Sequence, residues 1–364
     1  MGERIEMVNS STHMKQKINY IVNLRVFACI GVILCHVAAN NWYGNIESKR
    51  WIVLTAYLAF SRFCVPIFLM ISGVLFLRTE TRVSFRKIYA HNILKLCVFL
   101  LFWGMCYQIY NLTVAQKIYV GEGTLWTLIS EGFQNVFRGE TQAHLWYIYT
   151  IIGLYMIVPL LKPWINNLSK KEIEYFLVLY FIFNVIYSVI CNLDVEAFKI
   201  ICNFSSRLSI NIVGGYIGYL VLGYYLDAYE LPDKMRKICY ALGVAGFLFS
   251  AVLTVFYSRH LGAVTEIFWN YCSVFVFFWS IAVFVFFRYN LDQCYKAADI
   301  IANYTLGIYA CHMFVVFELW RNGISTFSFS SIFSVPVITV LVFICALGFT
   351  YVIGKIPFLR KWII

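Results

Sequence analysis

Arg25 and His36 are the residues whose types and spacing most invite chemistry. Both lie within Ile18 to Asn40, INYIVNLRVFACIGVILCHVAAN, which is long and apolar enough to cross a bilayer as a helix. Ionisable side chains in hydrocarbon cost roughly 2.5 kcal/mol or more on insertion scales, so their presence needs a reason. Eleven residues at ~100° each bring the two back to nearly one helix face, about 16 Å apart along the axis. Taken singly, they also read as a snorkelling arginine and a hydrogen-bonded histidine. A cation and an imidazole on one stripe instead suit a polar path or site facing the bundle interior, where the imidazole can take a proton near neutral pH.

The elements that must position them are transmembrane helices. The 364 residues are 61% hydrophobic and 13% charged, whereas a soluble domain is about half apolar and a quarter charged. The chain therefore reads as an all-α polytopic membrane protein with no room for a separate soluble domain. Ten apolar segments can be marked, near 18–40, 51–77, 88–110, 143–162, 173–191, 210–228, 236–257, 265–287, 298–320 and 333–354. With the N-terminus inside, eighteen Lys and Arg fall in inner segments and eight in outer ones. That division places both termini in the cytoplasm and assigns the net charge of +11 to membrane topology rather than nucleic acid. Residues 1–17 read as a polar leader, 18–354 as the membrane domain and 355–364 as a basic tail. No cleavable signal peptide is expected, and the first helix reads as a retained anchor.

Arg62 and Lys95 are the remaining bases within spans, and no carboxylate lies deep enough to pair with them. Glu266 and Glu318 come closest, near outer helix ends. An anionic ligand, a polar cavity or backbone carbonyls are the candidate partners. In the second segment Pro66 suggests a kink, and Ser72-Gly73 allows close approach of a backbone or thin ligand. The inner loop after it is the most basic stretch. Lys87, His91 and Lys95 recur every four residues, with Arg82 and Arg86 in a parallel row. This stripe suits either headgroup anchoring or a multiply phosphorylated cytoplasmic ligand. In the long outer loop, Leu125, Leu128, Ile129, Phe133 and Val136 fall at helical spacing and predict an interfacial helix roofing the outer face. His144, Trp146 and Tyr147 come next, at the outer interface, and His312 lies in the outer half of the ninth segment. No metal is expected, because no ligand spacing accompanies these histidines. Gly214, Gly215, Gly218 and Gly223 suggest close helix packing. Among twelve Cys no C-x-x-C pair occurs, while Cys191 and Cys202 flank one outer loop and could pair there.

Four stretches together resemble the acyltransferase 3 family: NLR with a histidine eleven residues after its Arg25, then VPIFLMISG, HLWYIYTIIGLYMIVPLL and LGIYACH. They stand in the family's order from about Ile18 onward, and their wording looks most like the enterobacterial common antigen O-acetyltransferase type. The resemblance implies a ten-helix bacterial inner-membrane protein that O-acylates surface glycans, with acetyl-CoA as cytoplasmic donor. The acceptor it implies is a glycan or lipid-linked saccharide hydroxyl. It puts the family's essential Arg and His on Arg25 and His36, and its basic motif loosely on Arg82 to Lys87, where the arginine spacing differs. The residues accommodate that chemistry. The stripe Arg82, Arg86, Lys87, His91 and Lys95 would hold nucleotide phosphates, with Arg62 and Ser72 also on the donor side. Arg25 would steer the pantetheine arm, and His36 would act as base or transient acyl carrier. Trp146, Tyr147 and Glu318 would bind the acceptor, and His144 and His312 would bind the acceptor or an oxyanion or serve the structure alone. The rival reading is a permease or exporter of the same fold, in which Arg25, His36 and Arg62 line a solute path. No inverted repeat between the halves favours it.

Overall fold

A computed structural model of the chain describes residues 18–115, 122–210 and 213–364. The expected leader, 1–17, lies outside them. The principal helices are α1 (Asn19–Ala39), α2 (Lys49–Ser61), α3 (Cys64–Leu77), α4 (Leu94–Tyr110), α5 (Glu122–Arg138), α6 (Trp146–Asn166), α7 (Lys170–Tyr180), α8 (Glu196–Arg207), α9 (Ile217–Ala228), α10 (Asp233–Leu261), α11 (Val274–Asn290), α12 (Lys296–Ala302), α13 (Thr305–Arg321), α14 (Ser331–Ile353) and α15 (Pro357–Ile363). No strand occurs among the described residues.

Eight helical runs among these residues are long and apolar enough to cross a membrane, and a ninth arises if α12 and α13, bent by 74°, form one span. The expected ten are therefore not reached. The sixth expected segment, 210–228, holds one α-helix among its described residues, α9, whose 12 residues rise about 18 Å against a hydrocarbon core of ~30 Å. This short helix is sheltered from lipid by its neighbours, and Gly218 to Tyr224 are all buried. Irregular backbone at membrane depth is tolerated when protein covers it in this way.

The α3–α9 crossing is a backbone-to-backbone contact. A Cβ on Gly73 would stand 1.9 Å from the Leu220 carbonyl oxygen, and one on Gly223 would stand 2.2 Å from that of Met70. Only glycine allows this approach, which draws the cavity-bearing helix α3 into the core. Basic residues then close the ends of both helices. Lys162 Nζ donates to the Arg78 carbonyl, and Arg288 donates to the Leu226 and Tyr229 carbonyls. These are orphan acceptors of helix C-termini, where a cation is favoured. Arg78 also forks onto Asp227, with both nitrogens at 2.6 Å, and the Tyr20 hydroxyl donates to the same carboxylate.

α1 is the centre of the bundle and packs against α2, α3, α11, α12, α13 and α14. Its start is held by polar bonds that hydrocarbon cannot supply. The Tyr20 amide donates to Asp292, and Asn23 Nδ2 donates to the Leu291 and Gln293 carbonyls. The helix expected from the spacing of Leu125 to Val136 forms as α5. It leans on α4 through Gly132 and Val136, while Ile129 and Phe133 stay exposed beside Trp126 and Phe137. The side chains of Leu125 and Leu128 lie outside the described residues. Cys191 and Cys202 form a disulfide, with Cα atoms 5.8 Å apart, that ties α8 to the preceding span.

Candidate active site

Arg25 and His36 both line one cavity of about 240 Å³. The helical spacing along α1 accounts for this directly, since the two share a face with Val32 between them. Helix α3 adds Val65, Phe68, Ile71 and Ser72, and α6 adds Trp146, Tyr147, Ile151 and Tyr155. Tyr309 of α13 and Tyr271, from the stretch before α11, complete the part of the wall near the histidines. The lining is mostly apolar and aromatic with a few polar groups, which is the usual make-up of a small-molecule site. Among the described residues Arg25 makes no hydrogen bond and no salt bridge. An unpaired guanidinium beside a cavity inside a membrane bundle is a strong attractor for anionic or carbonyl oxygens.

His36 stands at the other end of the stripe, in a triangle of imidazoles. Its ring centroid lies 5.2 Å from that of His312 and 6.0 Å from that of His144, which are 5.1 Å from each other. His312 Nδ1 lies 2.7 Å from the Tyr309 carbonyl oxygen and His144 Nε2 lies 3.3 Å from that of Ala310. A carbonyl only accepts, so each of these nitrogens is the ring's N–H. The other nitrogens, His312 Nε2 and His144 Nδ1, are buried and have no partner. Two hydroxyls frame the group from behind. Tyr309 donates to the His144 carbonyl and Tyr107 donates to the Ala310 carbonyl.

The other sequence-selected residues fall into distinct places. Ser72, His144, Trp146 and Tyr147 line the cavity with Arg25 and His36, whereas His312 stands behind His36 and is fully buried. Arg62 is outside the cavity wall. Its guanidinium sits over the Trp269 and Tyr271 rings and donates to the Tyr271 hydroxyl at 3.3 Å. Glu318 is likewise outside, accepting from Tyr110 at 2.7 Å and pairing with Arg321. Arg82, Arg86, Lys87 and His91 are exposed. The expected straight row through Lys95 does not form. A π-helical turn over Ile88–Ile93 inserts one residue and rotates the remainder of the helix by about 100° relative to an uninterrupted α-helix. Lys95 instead donates to a main-chain oxygen of Ile364 at 2.6 Å.

Tyr155, Tyr271 and Tyr309 also belong to the wall, although the sequence did not single them out. Tyr155 lies two helical turns beyond Tyr147, and Tyr309 one turn before His312, so same-face spacing was the available signal. No spacing rule points to Tyr271, because it sits outside a helix. Among the described residues no cluster of side chains is arranged to hold a metal ion.

A helical membrane bundle that encloses an imidazole and an unpaired guanidinium in one cavity has the makings of a multi-pass membrane enzyme. A family model described as an acyltransferase domain matches residues 18–355, nearly the whole chain. The protein belongs to that family and is a membrane acyltransferase. No curated protein and no solved structure matches the chain.

Proposed function

We propose that the protein is a membrane O-acetyltransferase that moves an acetyl group from cytoplasmic acetyl-CoA to a hydroxyl of a cell-surface glycan or its lipid-linked precursor. The observation that carries this reading is the sharing of one cavity by the unpaired Arg25 and by His36. At about 240 Å³ the cavity is smaller than the ~300–1,000 Å³ of a typical small-molecule site. It suits the thioester end of the donor and one hydroxyl, not a whole coenzyme. The nucleotide would remain outside, where the exposed Arg82, Arg86 and Lys87 offer positive charge to its phosphates and His91 stands beside them. Arg25 would hold the pantetheine arm, and Trp146 and Tyr147 would flank the sugar.

His36 would take the proton of the acceptor hydroxyl as its oxygen attacks the thioester carbonyl. The carbon–sulfur bond breaks, the coenzyme leaves as thiolate, and the proton held by His36 returns to that sulfur. A new ester and free coenzyme thiol are the products. The motif wording, closest in type to the enterobacterial common antigen O-acetyltransferase, supports a bacterial inner-membrane location. The eighteen-to-eight division of basic residues supports cytoplasmic termini. That topology puts the Cys191–Cys202 disulfide on the outer, oxidising side, where disulfides persist.

The test is transfer of radiolabel from acetyl-CoA to an extracted lipid-linked saccharide fraction by the purified protein in vesicles. Label is expected in the saccharide and recoverable by mild alkali. Uptake or release of solute with no acetylated product would contradict the proposal.

A further inference from the structure

We propose that His312 is a positioning residue for His36: its Nε2 accepts the His36 ring N–H, while its own Nδ1–H is anchored on the Tyr309 carbonyl. The inference rests on hydrogen-bond satisfaction. Both His312 and His144 are essentially shielded from water, at 0% and 2% exposure, so their polar atoms depend on the protein for partners. Each already spends its N–H on a carbonyl, which leaves two buried bare nitrogens that can only accept. A buried acceptor left unpaired costs about 1–3 kcal/mol. The Tyr107 and Tyr309 hydroxyls are committed elsewhere. Among the rings packed around the two bare nitrogens, His36 is the neighbour of both whose N–H is not committed to a carbonyl. His312 is the nearer of the two rings, at 5.2 Å against 6.0 Å.

The consequence for chemistry is directional. With one His36 nitrogen giving its proton to His312, the other is held as a lone pair, the form a general base needs. When His36 gains a proton, the imidazolium keeps a fixed acceptor behind it that needs no reorganisation. The chain His36, His312, Tyr309 carbonyl thus repeats the logic of a base oriented by a third group, with a neutral imidazole where other sites use a carboxylate.

Two measurements on the full-length protein in bilayers test this. In nitrogen-15 histidine spectra, His312 should carry its proton on Nδ1, and its Nε2 resonance should move to that of an unbonded lone pair in His36→Phe. A proton on His312 Nε2 overturns the proposal. So does a His312 Nε2 resonance that His36→Phe leaves in place, or a shift confined to His144. In acetyl transfer to the lipid-linked saccharide fraction, His312→Leu should lower kcat about 100-fold with KM changed less than about threefold. His312→Gln, which keeps an acceptor oxygen on the same side, should recover at least tenfold of that loss. A raised acceptor KM at unchanged kcat would make His312 an acceptor-binding group and end the assignment. The kinetic half rests on the acyl-transfer reading and the spectroscopic half does not. Absence of any wild-type transfer would therefore defeat that reading while the spectra still decide the hydrogen bond.

Discussion

Replacing Gly73 by alanine adds a single methyl group at the α3–α9 crossing. That carbon would stand 1.9 Å from the Leu220 carbonyl oxygen, where ordinary contact begins at 3.4 Å. The two backbones must therefore part by about 1.5 Å, and no flexible side chain is available to give way. Overpacking of a tight core costs about 1–3 kcal/mol, and a backbone obstacle puts Gly73→Ala at the upper end. The neighbour Ser72 and the cavity residues Phe68 and Ile71 ride on the same helix. A shift of about 1 Å in positioned groups costs on the order of 100-fold in rate. Gly348 in α14 is the control, since nothing lies within 4 Å of a Cβ there. Gly348→Ala should be neutral or stabilise by about 0.4–1 kcal/mol, because it only restricts the unfolded chain. Thermal unfolding monitored by size-exclusion fluorescence, paired with the transfer assay, reads both effects. A Gly73→Ala protein as stable and active as Gly348→Ala would refute the close crossing.

Arg25→Lys should lower transfer by tenfold or more while the protein still inserts, because a compact ammonium replaces a planar fork of donors; kinetics on purified protein checks this. Arg86 and Lys87 changed together to Gln should weaken binding of coenzyme A by calorimetry. Added salt should weaken wild-type binding, since these charges are exposed; unchanged affinity would leave the stripe as a membrane anchor. A membrane-impermeant maleimide should label Cys191 and Cys202 from outside intact cells only after reduction. Labelling from the cytoplasmic face instead would invert the topology.

The site was legible in the sequence where a single helix carries it. Arg25 and His36 share a wall because eleven residues return to one face of α1, and no partner helix is needed to see that. Lys95 shows the limit of the same reasoning. The four-residue rule holds only along an uninterrupted α-helix, and the π-helical turn over Ile88–Ile93 breaks the register before Lys95 is reached. The number of spans was less legible for a related reason. Hydropathy along 210–228 registers apolar composition but not that the α-helix there is a short one, Ile217–Ala228. The three-histidine group was visible only as three separate histidines on different segments. Which faces of nearly uniform apolar helices meet is decided by glycine contacts such as Gly73 with Leu220 and by buried polar bonds such as Asn23 with Leu291. Both depend on partners far away in the chain.

The most direct test of the central claim is the acetyl-transfer rate of His36→Ala, measured in vesicles against the wild type with insertion verified for both. A half-buried imidazole on a cavity wall contributes little packing, so the variant should fold and insert. Its transfer rate should fall by ~100-fold or more, the share a positioned base supplies. An inserted His36→Ala protein that acetylates the saccharide at close to the wild-type rate would contradict the assignment of this cavity as the site of acyl transfer.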